Sequence, residues 1–426
     1  DSLTALSLKP VFGFQYSFNQ NGSLIHSWGG LEFRGCFGKH LSIYSSLRDN
    51  NLSRPIVAPE YFSPDLGVPM KSFDDGAVDF SEARGGITYS WKSGSIGLIK
   101  DHLVWGTTYT QSNIFSGRTP SFAMIKFNLR PLKWFEFNYF HGSLVSNVVD
   151  SVQSYWDGNS YRNVFRPKFI AANMFTFIPF KRLHISFGNS IVYSDANVQM
   201  AYLNPLLFYK SVDHTLSSMY VYGQAGQNAQ MFFDVSSRQI KHLHLYGTLF
   251  VDELSLGNMF DPEKQSNLLS IKGGFCLTDF PLPNVSLIVE YTRTNPLAYQ
   301  HFIASTTFES NEYNLGHYLK DNSDDLFLSI RYKPLAGLKF SLSYNHSRHG
   351  EDIDYRTADN RGLIFIEEVL WENKTILFQS SYEFANNAYL NLKYQHSNIK
   401  GEFEKYTPEY YWALTDTFSL GMNIGF

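Results

Sequence analysis

Residues 326–344 read LFLSIRYKPLAGLKFSLSY, and this stretch decides the fold. Apolar side chains occupy every second position on both sides of a short segment, Pro334-Leu335-Ala336-Gly337. Successive side chains of a β-strand point to opposite faces, so each half predicts a strand with one apolar and one polar face. The stretch therefore predicts two antiparallel strands joined by a tight turn.

The same alternation recurs along the whole chain. Near the amino end, Phe12, Phe14, Tyr16 and Phe18 alternate with small or polar residues. Further examples lie at 31–37, 87–91, 135–139, 243–251, 285–291 and 390–394. The strands of a soluble β-sandwich would also alternate, so the alternation alone does not indicate a membrane protein. The number of strands and the spacing of the turns must decide between a soluble sandwich and a membrane barrel.

Short turn segments follow one another at a steady interval. They lie at 38–39, 93–94, 131–133, 179–181, 239–241, 281–284, 334–337 and 386–387. Most neighbours are roughly 40 to 60 residues apart, the length of two strands of about 10 residues plus one long loop. Each turn joins two strands, and one more strand at each end of the chain brings the prediction to about eighteen, in a range of 16 to 18.

Long connections alternate with these turns. They are expected at roughly 50–84, 106–120, 146–165, 195–226, 299–324 and 350–362, with a shorter one near 399–412. Short turns at the periplasmic rim and long loops outside are typical of bacterial barrels. The chain, 1–426, is therefore predicted to be a single all-β domain, a transmembrane antiparallel up-and-down β-barrel with both ends on the periplasmic side.

The composition supports a membrane barrel and excludes several other classes. Aromatic residues make up 17% of the chain and charged residues also 17%, below the roughly 25% charged residues usual in soluble domains. No run of about 18 apolar residues could form a spanning helix. The net charge of -4 argues against a nucleic-acid partner. Cys36 and Cys276 lack metal-ligand spacing, and no metal or cofactor is predicted.

The carboxyl end also indicates an outer-membrane protein. An alternating strand closes on a terminal aromatic residue; its apolar positions are Phe418, Leu420, Met422, Ile424 and Phe426. This pattern resembles the signal that the barrel-insertion machinery reads. The expected partners are therefore that machinery and outer-membrane lipid. Because no apolar leader precedes Asp1, the signal peptide is expected to have been removed.

Five segments, taken in order, resemble the Wzi family of capsule-assembly proteins, as a distant member of the Bacteroidota type. They are FSEARGGITY (80–89), VWG (104–106), YLNPLLFY (202–209), GTLFVDEL (247–254) and EYTR (290–293). Family members are outer-membrane barrels that act as surface lectins and hold capsular polysaccharide. The resemblance implies a non-enzymatic barrel that binds or organises surface polysaccharide.

Charged residues within these segments are candidate ligand contacts. Glu82 and Arg84 are two apart near the beginning of a strand, so their side chains share a face. Glu290 and Arg293 lie late on another strand. Such groups would form a charge network that seals the lumen or orients a solute. The alternative is a structural network that holds a loop inside the barrel.

Three further candidates come from the aromatic and loop segments. Trp105 follows a short strand, and Asn204 and Tyr209 flank an apolar run. Asn204-Pro205 is unusual inside that run, because Pro cannot donate to a strand ladder. The prediction is a loop that folds into the barrel mouth and constricts it, with ordinary loop packing as the alternative.

Tyr and Trp are concentrated in the long connections, and two roles remain open for them. They are Tyr155, Trp156, Tyr202, Tyr209, Tyr220, Tyr222, Tyr406, Tyr410, Tyr411 and Trp412. Their rings could stack on the apolar faces of sugars. Equally, they could form the aromatic girdle at the lipid headgroups or pack within the loops.

Three functions remain open, and none is catalytic, since the 13 His residues accompany no nucleophile motif. A glycan-binding surface barrel would have an occluded lumen. A diffusion porin would have an open channel with a charged constriction. A subunit of an outer-membrane assembly or secretion complex would dock lipoproteins or another barrel.

Overall fold

The barrel wall consists of eighteen long strands among the residues that the structure, a computed structural model, describes: 4–69, 71–72, 76–216 and 226–425. The strands are β1 (Thr4–Asn19), β2 (Gly22–Phe37), β3 (Leu41–Leu52), β4 (Val78–Trp91), β5 (Gly94–Asp101), β6 (Phe122–Leu132), β7 (Phe135–Leu144), β8 (Lys168–Phe180), β9 (Leu183–Tyr193), β10 (Asn228–Ser237), β11 (Leu243–Leu254), β12 (Asn267–Thr278), β13 (Val285–Thr294), β14 (Ser323–Leu335), β15 (Leu338–His349), β16 (Trp371–Ala385), β17 (Ala388–Gly401) and β18 (Leu414–Ile424).

Each strand pairs antiparallel with its neighbours in sequence, and the first strand closes the cylinder on the last. In that seam Phe12 lies opposite Ile424 and Phe18 opposite Phe418. The predicted antiparallel up-and-down barrel and its strand number are confirmed. Of the predicted terminal pattern, Phe418, Leu420, Met422 and Ile424 lie in β18, while Phe426 is outside the described residues.

All eight predicted turns join consecutive strands at one end of the barrel, the short-turn end. Gly38 and Gly337 have φ of 63° and 84° in two of them, a backbone region that glycine enters without strain. At the opposite, long-loop end, β1 and β2 are joined by Gln20-Asn21 alone, and the other connections are 53–77, 102–121, 145–167, 194–227, 255–266, 295–322, 350–370 and 402–413.

Two predictions about the connections at the long-loop end were wrong. The connection 255–266 was missed, and the loop expected at 50–84 contains the first part of β4. Glu82 and Arg84 therefore lie within a strand. The outward positions of this segment are Ser81, Ala83 and Gly85, which are small or polar, so the apolar alternation that marks the other strands is missing there.

Short elements fill the long connections. They comprise helix α1 (Tyr209–Leu216), the single turn Phe403–Tyr406, 3₁₀ turns at Met200–Leu203, Ala304–Thr306 and Glu409–Tyr411, two-residue ladders pairing Val104–Trp105 with Phe115–Ser116, Tyr155–Trp156 with Tyr161–Arg162 and Glu309–Ser310 with Tyr313–Asn314, and Lys71–Ser72 on β4. Among the described residues, no helix is both long and apolar enough to cross a membrane.

The outer wall presents an apolar band of the kind that lipid hydrocarbon requires. Phe14 on β1 and Leu420 on β18 expose 48% and 62% of their surfaces to the surroundings of the barrel. Polar groups begin closer to the long-loop end, where His396 Nδ1 lies 2.8 Å from Asp416 Oδ1 on the outer face. This distribution is that of a transmembrane barrel.

One half of the lumen is filled by two loops that fold inward from the long-loop end, the inserted loop (102–121) and the loop 295–322. Trp105 and Phe115 of the inserted loop pack against Phe140 and Phe232, which point inward from β7 and β10. The Trp105 ring centroid lies 5.1 Å from that of Phe140, and the Phe115 centroid 5.3 Å from that of Phe308. Since burying a side chain of this size contributes about 1.5–3 kcal/mol, this core fixes both loops.

Candidate functional site: the lumen cavity

The other half of the lumen, beside β1–β4 and β15–β18, encloses a cavity of about 670 Å³. The inner faces of these strands carry uncharged amide side chains where the filled half carries aromatic rings. The six amides that these strands contribute to the lining are Gln15, Asn50, Asn345, Asn373, Gln379 and Gln395, and Gln111 of the inserted loop lines the cavity as well. The cavity therefore offers many donors and acceptors with little net charge.

Trp28 supplies an aromatic surface on one side of this cavity. Its indole lies flat on β1 above Gly13, where an added Cβ would lie 2.2 Å from Trp28 Cζ2. Only glycine at position 13 leaves room for the ring. The His26 ring is 4.7 Å from Trp28, centroid to centroid, and extends the same surface.

An aromatic lid (Phe62, Trp371, Tyr406 and Tyr411) covers the cavity towards the long-loop end. Phe62 stacks on Tyr406 at 4.5 Å and meets Trp371 edge-on at 5.2 Å. Trp371 Nε1 donates a hydrogen bond to Thr407 Oγ1 at 2.9 Å. Of the aromatic loop residues singled out in the sequence, Tyr406 and Tyr411 thus pack over the lumen.

Three polar side chains in the cavity wall have a buried atom without a hydrogen-bond partner in the described part of the chain. These atoms are Asn345 Oδ1, Arg48 Nε and Gln111 Oε1. Asn345 Nδ2, by contrast, donates to Tyr318 Oη at 3.2 Å and to Ser347 Oγ at 3.0 Å. Because an unpaired buried polar atom is costly, the three atoms favour a polar ligand in the cavity.

Glu82 and Arg84 point into the lumen from β4, as their spacing predicted. Arg84 Nε lies 3.1 Å from Glu82 Oε1, and Arg84 Nη1 lies 3.5 Å from Asp101 Oδ1. His102 Nε2 is 2.8 Å from the same Glu82 oxygen. Glu82 and His102 line the cavity, so a ligand-contact role for Glu82 remains a prediction that the geometry allows.

Glu290 lies in the filled half and holds the inserted loop. Its Oε1 accepts hydrogen bonds from Thr108 Oγ1 at 2.9 Å, Tyr109 N at 2.7 Å and Tyr246 Oη at 2.8 Å. Lys272 Nζ lies 3.5 Å from Oε2, and both side chains are almost fully buried. Of the two roles predicted for Glu290, the geometry is that of the loop-holding network.

Arg293 lies on the opposite face of the same strand, so the prediction of a charge network that joins it to Glu290 was wrong. Residues three apart on a strand point to opposite sides of the sheet. Outside the barrel, the Arg293 guanidinium lies 3.9 Å from the ring centroid of Phe365, and its Nε donates to Asn295 Oδ1 at 3.1 Å. Arg293 ties an external loop to the wall and does not reach the lumen.

Trp105 is the central residue of the dry core and not a residue of the cavity. It is 7% exposed, and Phe115, Phe140 and Phe232 enclose its ring. The structure therefore places it where it fixes the inserted loop.

The loop that carries Asn204 and Tyr209 folds against the outside of the barrel, so the predicted constriction of the mouth was wrong. Asn173 on β8 points outward and donates through Nδ2 to the carbonyl oxygens of Pro205 at 3.0 Å and Leu207 at 2.9 Å. Tyr209 N donates to the outward-pointing Asn189 Oδ1 at 2.9 Å. Hydrogen bonds from Asn173 and to Asn189 thus hold this loop against the outer wall.

Within the same loop, Tyr202 and Tyr209 are buried against the outer wall, while Asn204 is exposed at the end of its 3₁₀ turn. Tyr139 Oη donates to the Tyr202 carbonyl oxygen at 3.1 Å, and Asn204 Oδ1 accepts from Leu206 N at 3.1 Å. These contacts correspond to loop packing, the alternative from the sequence. Tyr220 and Tyr222 are outside the described residues.

Arg118 is a structural residue that the sequence did not reveal. It is fully buried in the inserted loop and donates from Nη2 to the Tyr61 carbonyl oxygen at 2.7 Å and from Nε to the Ser63 carbonyl oxygen at 2.8 Å. Burial lowers its pKa to about 10, so it remains charged at neutral pH. A single Arg in a Ser- and Gly-rich segment gives no signal of this role.

A hairpin formed by Tyr155–Trp156 and Tyr161–Arg162 carries exposed aromatic side chains at the long-loop end. Trp156 is 71% exposed, and its ring lies 6.0 Å from that of Tyr161.

In the described residues no three His, Cys, Asp or Glu side chains lie close enough to hold a metal ion.

Comparison with known proteins identifies the fold and no closer relationship. No family model matches the chain, and no curated protein matches it in sequence. Among solved structures, the Escherichia coli protein Wzi, described as an outer-membrane, carbohydrate-binding β-barrel involved in group 1 capsule assembly, superposes with a TM-score of 0.60 over 98% of this chain and 84% of its own, at 12% identity.

Two other barrels superpose less well. Pseudomonas aeruginosa OccD3 (OpdP) gives a TM-score of 0.52 at 9% identity, covering 99% of this chain and 91% of its own. Acinetobacter baumannii OccAB3 gives 0.52 at 11% identity, covering 99% of each chain. The chain thus has the fold of outer-membrane barrels, and the resemblance to Wzi predicted from the sequence is confirmed at the level of the fold.

Proposed function

We propose that this protein is a non-enzymatic outer-membrane barrel that binds surface polysaccharide, with the lumen cavity as its glycan site. The observation that carries the proposal is the lining of that cavity, where six amide side chains face Trp28 and the aromatic lid. The apolar outer band and the alternating β18 support the location in the outer membrane and insertion by the barrel-insertion machinery. In that orientation the long-loop end is extracellular.

The chemistry of the cavity fits a sugar better than a metabolite anion. A sugar has hydroxyl groups that need both donors and acceptors, and amide side chains supply both from one group. Its apolar ring face stacks on an indole or phenol ring. Arg48 and Lys393, which also line the cavity, would pair with acidic sugars. The solved Wzi barrel, described as binding carbohydrate, supports the proposal through its fold.

Calorimetry with purified surface polysaccharide of the same bacterium tests this function. Trp28→Ala should weaken binding by about two- to tenfold, because a stacked ring contributes about 0.5–1.5 kcal/mol. Trp156→Ala, on the exposed hairpin, is the matched control and should bind like the wild type. If the Trp156 variant alone loses binding, the glycan site lies on the external loops. If the wild type binds no surface glycan, the proposal fails.

A diffusion channel is the second candidate, favoured by the course of the cavity along the wall. Its lining continues from the lid to Gln15 and Ser419, which face the lumen on β1 and β18. The Occ-type barrels share the fold. Single-channel recording in planar bilayers decides between a glycan site and a diffusion channel. Stable conductance steps whose ion selectivity changes in the Arg48→Glu variant would establish a channel.

Docking to lipoproteins or to another barrel is the third candidate, and the exposed hairpin favours it. Val152 beside it is 92% exposed and Trp156 71%. Apolar residues so exposed at a loop tip are typical of protein contacts. A tagged pull-down in mild detergent should recover a partner at stoichiometric yield from the wild type and not from Trp156→Ala.

A further inference from the structure

The barrel wall has a gap beside β4. Strand β5 has only eight residues, Gly94–Asp101, and pairs with β4 from Gly85 towards the short-turn end. Above that point the chain leaves the wall as the inserted loop and returns at Phe122, where β6 begins opposite Asp101. Among the described residues, the stretch Phe80–Arg84 of β4 therefore has no strand partner on this edge.

The gap is bounded on all sides and forms a window in the wall. Towards the long-loop end the backbone of Lys71–Ser72 pairs with Asp79 and Val78 of β4. Towards the short-turn end the last residues of β5 close it. Opposite β4 lie Thr119–Ser121, the end of the inserted loop. We call this opening, framed by 80–84, 100–102 and 119–121, the β4–β6 window.

Side chains on both faces of the wall bridge the window, and Ser121 Oγ itself lies 3.5 Å from the Ala83 carbonyl oxygen. On the outer face Lys100 Nζ donates to the Ala83 carbonyl oxygen and to Ser121 Oγ, both at 2.7 Å. On the inner face the two ring nitrogens of His102 lie 2.8 Å from Glu82 Oε1 and 2.9 Å from the Thr119 carbonyl oxygen. Each bridge joins β4 to the end of the inserted loop through a side chain, so it can open by rotation without breaking strand pairing.

The lumen cavity reaches this window. Its lining includes Glu82 and His102 from the inner face and also Ala83, Lys100 and Ser121, which belong to the outer face. The three residues of the outer bridge, Ala83, Lys100 and Ser121, thus line the cavity at the point where β4 lacks a neighbouring strand. The outer bridge therefore separates the cavity from the surroundings of the barrel.

The window lies at the upper edge of the lipid-facing band. Ala83 is eight residues from the last residue of β4, Trp91. Strands rise about 3.3 Å per residue and tilt by about 40°, which places Ala83 roughly 20 Å above the short-turn end, in a band about 25 Å tall. Below the window Ile87 and Leu98 point outward and are 47% and 61% exposed. The opening thus faces the outer leaflet near its headgroups.

We propose that the β4–β6 window is a lateral portal through which the sugar head of a lipid-anchored glycan passes from the outer leaflet into the lumen cavity. The acyl chains stay in the membrane against the apolar surface of β4 and β5. The polar cavity behind the window and the apolar wall below it match the two halves of such a molecule. This inference rests on the proposed glycan site and adds the lipid anchor and the route.

A reversible closure of the window tests the portal. The variant carries Ala83→Cys and Ser121→Cys in a background with Cys36→Ser and Cys276→Ser, which removes the two native thiols. Ser121 Oγ lies 3.5 Å from the Ala83 carbonyl oxygen, which brings the new thiols within reach of a short bis-thiol reagent that a reductant can cleave. The matched control is Ile330→Cys with Leu342→Cys, an outward-facing pair opposite each other on β14 and β15.

The probes are the bacterium's own lipid-anchored surface polysaccharide in proteoliposomes and the same polysaccharide after removal of its lipid. Compared with the same variant in its reduced state, the closed window should weaken binding of the lipid-anchored form by about tenfold or more and change binding of the lipid-free form by less than about twofold, and reduction should reverse both changes. Closing the control pair should change neither.

Three results overturn the portal. If the lipid-anchored glycan binds equally with the window open and closed, it does not pass this way, and the glycan site itself still stands. If closure weakens both forms alike, the crosslink distorts the cavity and the lateral route is wrong. If neither form binds the reduced protein, the proposed function fails together with the portal.

Discussion

Glu290→Gln should release the inserted loop from the barrel lumen. Glu290 accepts hydrogen bonds from Thr108, Tyr109 and Tyr246 and pairs with Lys272, whose side chain is almost fully buried. The substitution keeps the size of the side chain and removes its charge. It leaves the buried Lys272 ammonium without the carboxylate that lies 3.5 Å from it.

The magnitude follows from the burial of the pair. Removing one partner of a buried ion pair costs about 3–5 kcal/mol, largely because the remaining charge is uncompensated. The cost falls on the state in which the loop is inserted, since the withdrawn loop exposes Lys272 to water. At about 1.36 kcal/mol per factor of ten, local opening of the loop should become at least about a hundredfold more frequent.

Hydrogen exchange of the loop amides measures this opening. The amide of Ser116 donates to the Leu315 carbonyl oxygen at 2.8 Å, so it exchanges only when the inserted loop separates from loop 295–322. Adding Lys272→Met to Glu290→Gln should recover much of the lost protection, because it removes the orphaned charge. Asp359→Asn, in an exposed ion pair with Arg361, is the matched control.

Two outcomes would refute this reasoning. Unchanged exchange at Ser116 in Glu290→Gln would mean that the aromatic core alone holds the loop. Additive losses in the double variant would mean that Lys272 is stabilised by Thr108 and Thr110, to which its ammonium also donates at 3.4 and 3.0 Å, rather than by the carboxylate.

Three further predictions concern the loops. Trp105→Ala should destabilise the loop core by about 3–5 kcal/mol, seen as a lower thermal unfolding temperature, whereas Trp156→Ala should leave that temperature unchanged. Burial lowers the pKa of His301 to about 4, so its contribution to stability is complete above about pH 6.5 and declines as pH falls towards 4. Denaturant titrations at several pH values should show this slope in the wild type and a weaker one in His301→Gln. Asn173→Ala removes both hydrogen bonds to the loop 194–216, and limited proteolysis should then cut that loop faster at unchanged barrel stability.

The wall could be predicted from the sequence because lipid imposes one simple requirement on it. Every strand must turn apolar side chains outward, so the period of two survives in Phe12 to Phe18 and in Leu326 to Tyr332 alike. The turns were equally predictable, since most of these tight connections contain Gly, Pro or Asn. The terminal alternation of β18 follows from the same rule.

The destination of the loops could not be predicted, because it depends on complementary surfaces that distant strands supply. The loops 102–121 and 194–216 are both rich in aromatic and small polar residues, yet one enters the lumen and the other lies on the outer wall. A signal existed for the second: Asn173 stands in the outward phase of β8 with Phe175 and Phe177. A polar residue in that phase indicates that something covers the wall there.

The inserted loop and the β4–β6 window have one structural origin. Because β5 ends at Asp101, the chain can turn inward and bring Trp105 into the lumen core. The same early end removes the partner of Phe80–Arg84 and opens the wall beside the cavity that the loop leaves free. An extension of β5 that completed the ladder would draw the chain of Trp105 out of the lumen. Occlusion of one half of the barrel and lateral access to the other half are therefore two consequences of a single short strand.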